Sequence, residues 1–392
     1  MTHFLHTADW QIGKPFQSIA DSSKREALRN HRVETIRGLR KVIEANKLSF
    51  VIVAGDLFDS FTPDKATVAA FCSAVGSLKV PVYAIPGNHD HGGTGCIWNQ
   101  AFFTQEREQL APNLHLLLEP EPIVIDEAVL LPCPLLRRHQ TSDPTAWIRA
   151  VDFSALPNDR PRIVIAHGST QGFSSTSEED TGSATNLLDI DALPNDQIDY
   201  IALGDWHGTK EIKANAWYSG TPEQDRFAKG DDNQPGNALV VSLKERGDSA
   251  QIERIATGGI HWHEITTDLE NDAALDELRS TLDDKVEGDA NRDLLKLTIT
   301  GTLSLRGADA LERLLESYTA RTIHLRQHCD ITVEPSEEEL AKLTDRDDPL
   351  VSHVAQQLHQ EAQLDTDSGK LAKAALRELH LQLQHVQPQT TN

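Results

Sequence analysis

Five short apolar runs in this chain each end in a side chain able to bind a divalent cation. Phe4-Leu5-His6-Thr7-Ala8 leads into Asp9-Trp10-Gln11, and Phe50-Val51-Ile52-Val53-Ala54 into Gly55-Asp56-Leu57-Phe58-Asp59. Val82-Tyr83-Ala84-Ile85 leads into Pro86-Gly87-Asn88-His89-Asp90, Ile163-Val164-Ile165-Ala166 into His167-Gly168, and Tyr200-Ile201-Ala202-Leu203 into Gly204-Asp205-Trp206-His207. Carboxylate and amide oxygens together with imidazole nitrogens are the donors that divalent cations take. Two such cations held close together can clamp a phosphodiester and lower the pKa of water between them. A single strand-then-Asp junction means little, and a lone buried His is more often a hydrogen-bonded core residue. Five junctions in this order argue for one site, against the reading in which these residues merely cap loops.

The elements that must position these groups follow from the hydrophobic pattern. Apolar runs of about five residues alternate with helical periodicity over residues 1–260, which predicts an α/β layered domain. Leu28, Val33, Ile36, Leu39 and Ile43 predict a helix over about Lys24 to Asn46, and a second helix is expected from about Asp64 to Leu78. In open α/β sheets ligands bind beyond the carboxyl ends of the strands, so five strand ends converge on one rim. Ala238 to Leu243 and Gln251 to Ile255 predict a closing hairpin, and the stretch between about residues 90 and 160 reads as irregular. The Ser-, Thr- and Gly-rich segment Gly168 to Leu187 is expected to be a mobile active-site loop.

Beyond about residue 260 the pattern changes to a small α+β unit over 261–335, followed by two amphipathic helices, about 336–363 and 369–386, within 336–392. Net charge is −23, which argues against a protein that coats nucleic acid nonspecifically but leaves room for a nuclease with local positive potential. Cys72, Cys96, Cys133 and Cys329 are scattered without a paired spacing and read as free thiols of a reducing compartment. No run reaches the roughly 18 apolar residues of a membrane span, and the first residues do not read as a signal peptide. The expected location is therefore the cytosol, with no membrane partner.

The series of junctions resembles the binuclear metallophosphoesterase (calcineurin-like) superfamily, whose motifs are D-x-H, G-D-x-x-D, G-N-H-D/E, H and G-H-x-H. The words His6-Thr7-Ala8-Asp9-Trp10, Gly55-Asp56-Leu57-Phe58 and Tyr218-Ser219-Gly220-Thr221-Pro222 resemble, more narrowly, the SbcD-type DNA-repair nucleases. The resemblance implies a layered β-sandwich flanked by helices, with the smaller C-terminal α+β unit as a capping domain. It puts Asp56 between two metals, Asp9, Gln11 and His207 on one, and Asn88, His167 and Asp205 on the other. It gives His89 contact with the phosphate or protonation of the leaving oxygen, Asp90 the orientation of His89, and Asp59 a supporting place behind the ligands. For Asp59 and Asp90 simple loop capping is an equal alternative.

Two positions depart from the family pattern, which has His where this chain has Gln11 and His where it has Asp205. Both replacements offer oxygen, and oxygen-rich sites shift preference from zinc towards manganese or magnesium. The expectation is a Mn²⁺-dependent DNA nuclease of repair with two Mn²⁺ ions, endo- or exonucleolytic, favouring single-stranded or unpaired DNA. The alternatives are a small-molecule or phosphoprotein phosphoesterase on the same fold, or a non-catalytic DNA-repair subunit. Arg226, Trp10 and Trp206 are candidates for substrate contact, by phosphate pairing and by stacking on bases; Trp10 and Trp206 also suit packing beside the site. Lys14 lies near the metal rim, whereas Lys24, Arg25, Arg29 and Arg32 read as a solvated helix face. His261 and His263 are better explained by strand alternation than as ligands. SbcD-type nucleases bind a coiled-coil ATPase through C-terminal helices, and Leu350, Val354, Leu358, Leu371, Leu376, Leu379 and Leu383 could serve that purpose or pack on the chain's own body.

Overall fold

In the computed structural model, residues 1–170, 185–227, 234–286, 292–344, 348–364 and 366–386 are described. The chain divides into two units, Met1–His261 and Trp262–Asn392.

The first unit is a sandwich of two sheets. Strands of one sheet run in the order Gln251–Ala256, Asn237–Leu243, Thr2–Thr7, Phe50–Ala54, Val82–Ile85, Leu114–Leu116. The last four are mutually parallel, and Asn237–Leu243 pairs antiparallel with both the first strand and Gln251–Ala256, so the expected hairpin forms. The other sheet is ordered Lys210–Lys213, Ala216–Tyr218, Tyr200–Gly204, Arg162–His167, Val129–Cys133, Ile123–Val124. Its middle strands are again parallel. Parallel strands with both faces covered need apolar side chains on alternate sides, which is what these runs supply. Phe4, Phe50, Ile52, Ile163, Ile165, Tyr200 and Leu239 fill one core between the sheets. Leu5, Val51 and Val53 face the other way, onto Val33, Ile36, Leu39 and Phe71 of the covering helices.

Those helices are Ser22–Asn46, capped by the Asp21 side chain, and Lys65–Ser77, capped by Asp64. The stretch expected to be irregular holds more order than its pattern announces. Helix Ala101–Leu110 and strands Leu114–Leu116 and Val129–Cys133 lie within it, the strands being no longer than five residues and flanked by polar turns. Of the predicted loop at Gly168 to Leu187, Ser169–Thr170 pairs in parallel with Leu187–Leu188; residues 171–184 lie outside the described residues, and so does the expectation of mobility placed on them.

The second unit carries strands His261–Leu269, Asp293–Leu303 and His324–Val333 in that order, the last two parallel. Helices Ala274–Lys285 and Leu305–Arg321 cover them through Leu278, Leu282, Leu311 and Leu314. The helix expected over about 336–363 is two helices, Glu337–Thr344 and Pro349–Ala362. The break has a local cause. Proline lacks an N–H and suits a first helical turn, and the Asp348 carboxylate accepts from Leu350 and Val351 N–H to start the second helix. Leu358, Leu376, Leu379 and Leu383 pack with Leu305 and Leu343, so much of the terminal apolar surface is spent on the chain itself, while Leu350 and Leu371 stay exposed.

Candidate metal centre

The parallel strands deliver their carboxyl ends to one rim of the first unit, and the chain turns sharply there. Asp9, Gln11, Asp56 and Asp205 have φ of 54°, 41°, 55° and 104°. Left-handed backbone is rare for residues with a side chain, and such strain concentrates where the surroundings hold a functional group in place. Gly55, at φ 93°, is required for a second reason: a Cβ there would lie 2.3 Å from His167 Nδ1. The two sheets therefore meet at Gly55 closely enough for a ligand-type imidazole of one to sit against the backbone of the other.

At this rim one oxygen or nitrogen from each of Asp9, Asp56 and His167 lies within 4.8 Å of the others, and all three residues are buried. His167 Nε2 is 3.5 Å from Asp56 and 3.8 Å from Asp205. His167 Nδ1 is 2.8 Å from the Ala54 carbonyl, which can only accept, so the proton sits on Nδ1 and Nε2 offers a lone pair. That Nε2 and Asn88 Oδ1 are both buried without a hydrogen-bond partner. Buried acceptors left bare are costly and call for an explanation; a cation between them and the Asp56 carboxylate would supply it. The residues present thus suit divalent metal. Asp205 contributes its backbone N–H to the Asp9 carboxylate, at 3.1 and 3.2 Å, and its own carboxylate accepts from Ser169 Oγ at 2.9 Å.

The electrostatics describe a pocket of negative charge that lacks enough positive charge of its own. Burial pushes the Asp9 carboxyl up to about 6, against the pull of His207 and His167. Burial would also raise Asp56, but His167, His89 and the His89 N–H at 2.9 Å hold it below the usual carboxylate range. Burial lowers His167, yet the carboxylates of Asp56, Asp9 and Asp205 outweigh it and raise the imidazole to about 9, so a cation would take the Nε2 lone pair by displacing a proton from it. Carboxylates that raise one another's pKa, and imidazoles raised by them, form the kind of site that a cation neutralises.

The other candidates fall into two groups. Gln11 and His207 face each other at 3.3 Å, beside the cluster, and Lys14, Asp59 and Asp225 surround them. His89 lies half-buried, with Nε2 4.0 Å from Asp56 and its ring held through Nδ1 by the Asp59 carbonyl at 2.9 Å. Asp90 does not orient His89. Its carboxylate instead accepts from the N–H groups of Leu57, Phe58 and Gly87 at 2.8, 3.1 and 2.7 Å, fastening the Asp56 and Asn88 loops to each other. Burial pushes its pKa up to about 7 despite these bonds. Asp59 meets Lys14 at 3.4 Å and lends His89 its backbone rather than its carboxylate.

Trp10 is buried to 1% exposure, donates to Thr7 Oγ1 at 2.9 Å and packs on Phe71, so it belongs to the core and cannot stack on a base. Trp206 packs beside the second sheet with Lys210 near its ring, and Arg226 pairs with Asp225 at 3.2 Å while keeping a partly exposed guanidinium. Arg32, expected on a solvated face, is 1% exposed. It donates to the carbonyls of Asp9, Trp10 and Glu223 and to Thr221 Oγ1, tying the first metal loop to the Thr221-Pro222-Glu223 word. Its place four residues from Leu28 and from Ile36 puts it on the buried stripe, which is the signal that marks it. Asp225, whose side chain is fully buried against His207, Lys14 and Arg226, has no such signal.

Buried carboxylates and imidazoles at the parallel strand ends of a two-sheet α/β sandwich define a metal-dependent phosphoesterase. The chain belongs to the calcineurin-like phosphoesterase family, whose model matches residues 2–209. Among curated proteins it is similar to the D subunit of the SbcCD nuclease of Bacillus subtilis strain 168, 24% identical over 361 residues that cover 82% of this chain and 84% of that one. The protein of the same name from Staphylococcus epidermidis is 22% identical over 276 residues, 64% of this chain and 71% of that one. A solved structure, TT1561 of Thermus thermophilus, covers 65% of this chain and 99% of its own at 13% identity, with a TM-score of 0.39. Among the described residues no helix is long and apolar enough to cross a membrane.

Proposed function

We propose that this chain is a DNA nuclease of repair that hydrolyses phosphodiesters with two Mn²⁺ ions and favours single-stranded or unpaired DNA. The observation that carries the metal centre is the pair of bare, buried acceptors, Asn88 Oδ1 and His167 Nε2, beside Asp56. The step from phosphoesterase to nuclease is supported by the names of the two curated relatives. In this reading Asp56 would serve both ions, with Asp9, Gln11 and His207 holding one and Asn88, His167 and Asp205 the other. When bound, the cations would polarise the phosphodiester and lower the pKa of attacking water.

The chain's own groups do the rest. His89 is more exposed than His167 and His207 beside the cluster, its ring fixed by the Asp59 carbonyl, so it can stabilise charge on the departing oxygen or supply a proton to it. Asp90 acts through backbone, holding the Asp56 and Asn88 loops in register. Arg226 offers a partly exposed guanidinium for a backbone phosphate. Ligand oxygens at Gln11 and Asp205 support the choice of manganese over zinc. In this reading the α+β unit over 261–335 serves as a capping domain for DNA, exposed Leu350 and Leu371 of the terminal helices meet a coiled-coil ATPase, and the protein works in the cytosol.

The test is to incubate the full chain with single-stranded circular, single-stranded linear and blunt duplex DNA in Mn²⁺, Mg²⁺ or Zn²⁺, with Asp56→Ala and His89→Ala as controls. Cleavage of the single-stranded forms, best in Mn²⁺ and lost in both variants, is expected. Better turnover in Zn²⁺ would remove the metal assignment, and equal cutting of blunt duplex and single-stranded circles would remove the strand preference. Absence of cleavage with every metal would overturn the nuclease reading.

A further inference from the structure

The two sides of the centre are not equivalent. On one side Asn88 Oδ1 and His167 Nε2 have no hydrogen-bond partner, while Asp205 and Asp56 each accept from a neighbour, Ser169 Oγ and His89 N–H. On the Gln11 and His207 side the corresponding atoms are engaged by the chain itself. Lys14 Nζ is 2.8 Å from Gln11 Oε1, 3.4 Å from Asp59 and 3.0 Å from Asp225. An ammonium can only donate, so the Gln11 atom facing it is the carbonyl oxygen. The amide nitrogen is then the atom 3.3 Å from His207 Nε2, and that nitrogen must accept. With Nε2 accepting, His207 carries its proton on Nδ1 and Asp225 Oδ1 accepts it at 3.1 Å; Arg226 Nη2 also lies 3.1 Å from this nitrogen and directs its N–H groups to the Asp225 carboxylate. Lys14, Gln11, His207 and Asp225 form a closed ring of hydrogen bonds that uses the Gln11 oxygen and the His207 lone pair, the same atoms a cation would need.

We propose that this ring is a latch which makes metal uptake two unequal events. One ion enters the open Asp56–Asn88–His167–Asp205 position directly. The second enters the Asp9–Gln11–His207 position only by displacing the Lys14 ammonium from Gln11 and Gln11 from His207. Lys14 already supplies one positive charge there, between Asp59 and Asp225, so an incoming cation gains less than at a site of bare carboxylates. The latch depends on the departure at position 11: it is the glutamine oxygen that gives the ammonium an acceptor. The chain would thus hold one resident ion and recruit the second at higher metal concentration, making activity responsive to the supply of divalent cation. The inference rests on the reading of the cluster as a centre for two cations.

The test uses metal-free full chain and Mn²⁺ alone, with binding followed by titration calorimetry and by the electron paramagnetic resonance signal of free Mn²⁺. A hydrogen bond to a charged group is worth about a tenfold factor or more in an equilibrium. Wild type should bind one ion tightly and a second at least about tenfold more weakly. Lys14→Met should tighten the second event by about tenfold and leave the first unchanged. Lys14→Gln, which keeps a polar group in place should methionine disturb the fold, should act in the same direction. A wild type that takes up one ion, with the second appearing in the variants, is the same result at its limit. Two equal events in wild type, or a second event unchanged in both variants, would overturn the latch. So would an equal tightening of both events, which is what loss of a nearby charge alone would produce. A wild type that binds no Mn²⁺ would instead overturn the metal-centre reading itself.

Discussion

Replacing Arg32 by methionine removes the guanidinium that fixes the first metal loop, and the cost can be worked from its contacts. Nε and Nη2 donate to the Trp10 carbonyl at 3.0 and 2.6 Å, and Nη2 also reaches the Asp9 carbonyl at 3.2 Å. Nη1 reaches the Glu223 carbonyl at 3.0 Å, and Nη2 the Thr221 hydroxyl at 3.1 Å. Thr221 Oγ1 also donates to the Glu223 carbonyl, at 2.8 Å, so those two groups keep each other after the substitution. The loss then falls on the Asp9 and Trp10 carbonyls, at about 1.5–3 kcal/mol for each hydrogen bond to a charged group. Methionine recovers part of the volume and some apolar burial, leaving a net destabilisation of about 3–5 kcal/mol. At roughly 2–4 °C per kcal/mol for a unit of this size, the melting temperature should fall by roughly 10 °C. Urea titration followed by circular dichroism measures the stability loss, with Arg32→Lys expected between the two because one ammonium cannot serve all these acceptors. A loss below about 1 kcal/mol, within the range of ordinary surface substitutions, would refute the claim that Arg32 is a buried anchor.

Two further predictions address the core and the close approach of the sheets. Burial pulls the His6 imidazole down to about 3 from 6.5, with its Nε2 donating to the Leu203 carbonyl and its Nδ1 accepting from Tyr200. Because the unfolded chain takes up that proton near 6.5 and the folded chain does not, the stabilisation is complete above pH 6.5 and is lost as pH falls towards 3. The stability difference between wild type and His6→Gln should therefore shrink by about 2 kcal/mol between pH 7 and pH 4.5; a difference independent of pH in urea titrations would contradict it. Gly55→Ala places a methyl group 2.3 Å from His167 Nδ1 at a φ of 93°, and should cost about 2 kcal/mol or more and weaken Mn²⁺ binding measured by calorimetry. Wild-type affinity in that variant would show that the sheets do not need to approach so closely.

The metal rim is legible in the sequence because its determinants are local. Each ligand-type residue follows its own apolar run; parallel pairing within one sheet brings Asp9 beside Asp56, and the packing of the second sheet against Gly55 adds His167. What holds the rim is less legible, because it depends on contacts between distant segments. Asp225 meets Lys14 across more than two hundred residues, and Arg32 joins Asp9 to Glu223. Arg32 carries conflicting signals: its charge suggests a solvated face, while its spacing continues the apolar stripe of its helix, and the spacing prevails. Asp90 lies next to His89 in sequence and so suits an orienting role; the tight turn aims its carboxylate at backbone N–H groups instead. The division of the C-terminal helix at Pro349 follows from one proline and one capping aspartate, which a reading by amphipathic spacing alone passes over.

The central claim is that the Asp9–Asp56–His167 cluster holds cations that hydrolyse a phosphodiester, and a chromogenic diester tests it without reference to any DNA structure. Metal-free protein should be inactive on bis(p-nitrophenyl) phosphate and gain activity on titration with Mn²⁺, while Asp56→Asn should lose at least about a thousandfold at every metal concentration. Release of nitrophenol by the Asp56→Asn protein at the wild-type rate, or a wild type unresponsive to divalent metal, would contradict the account.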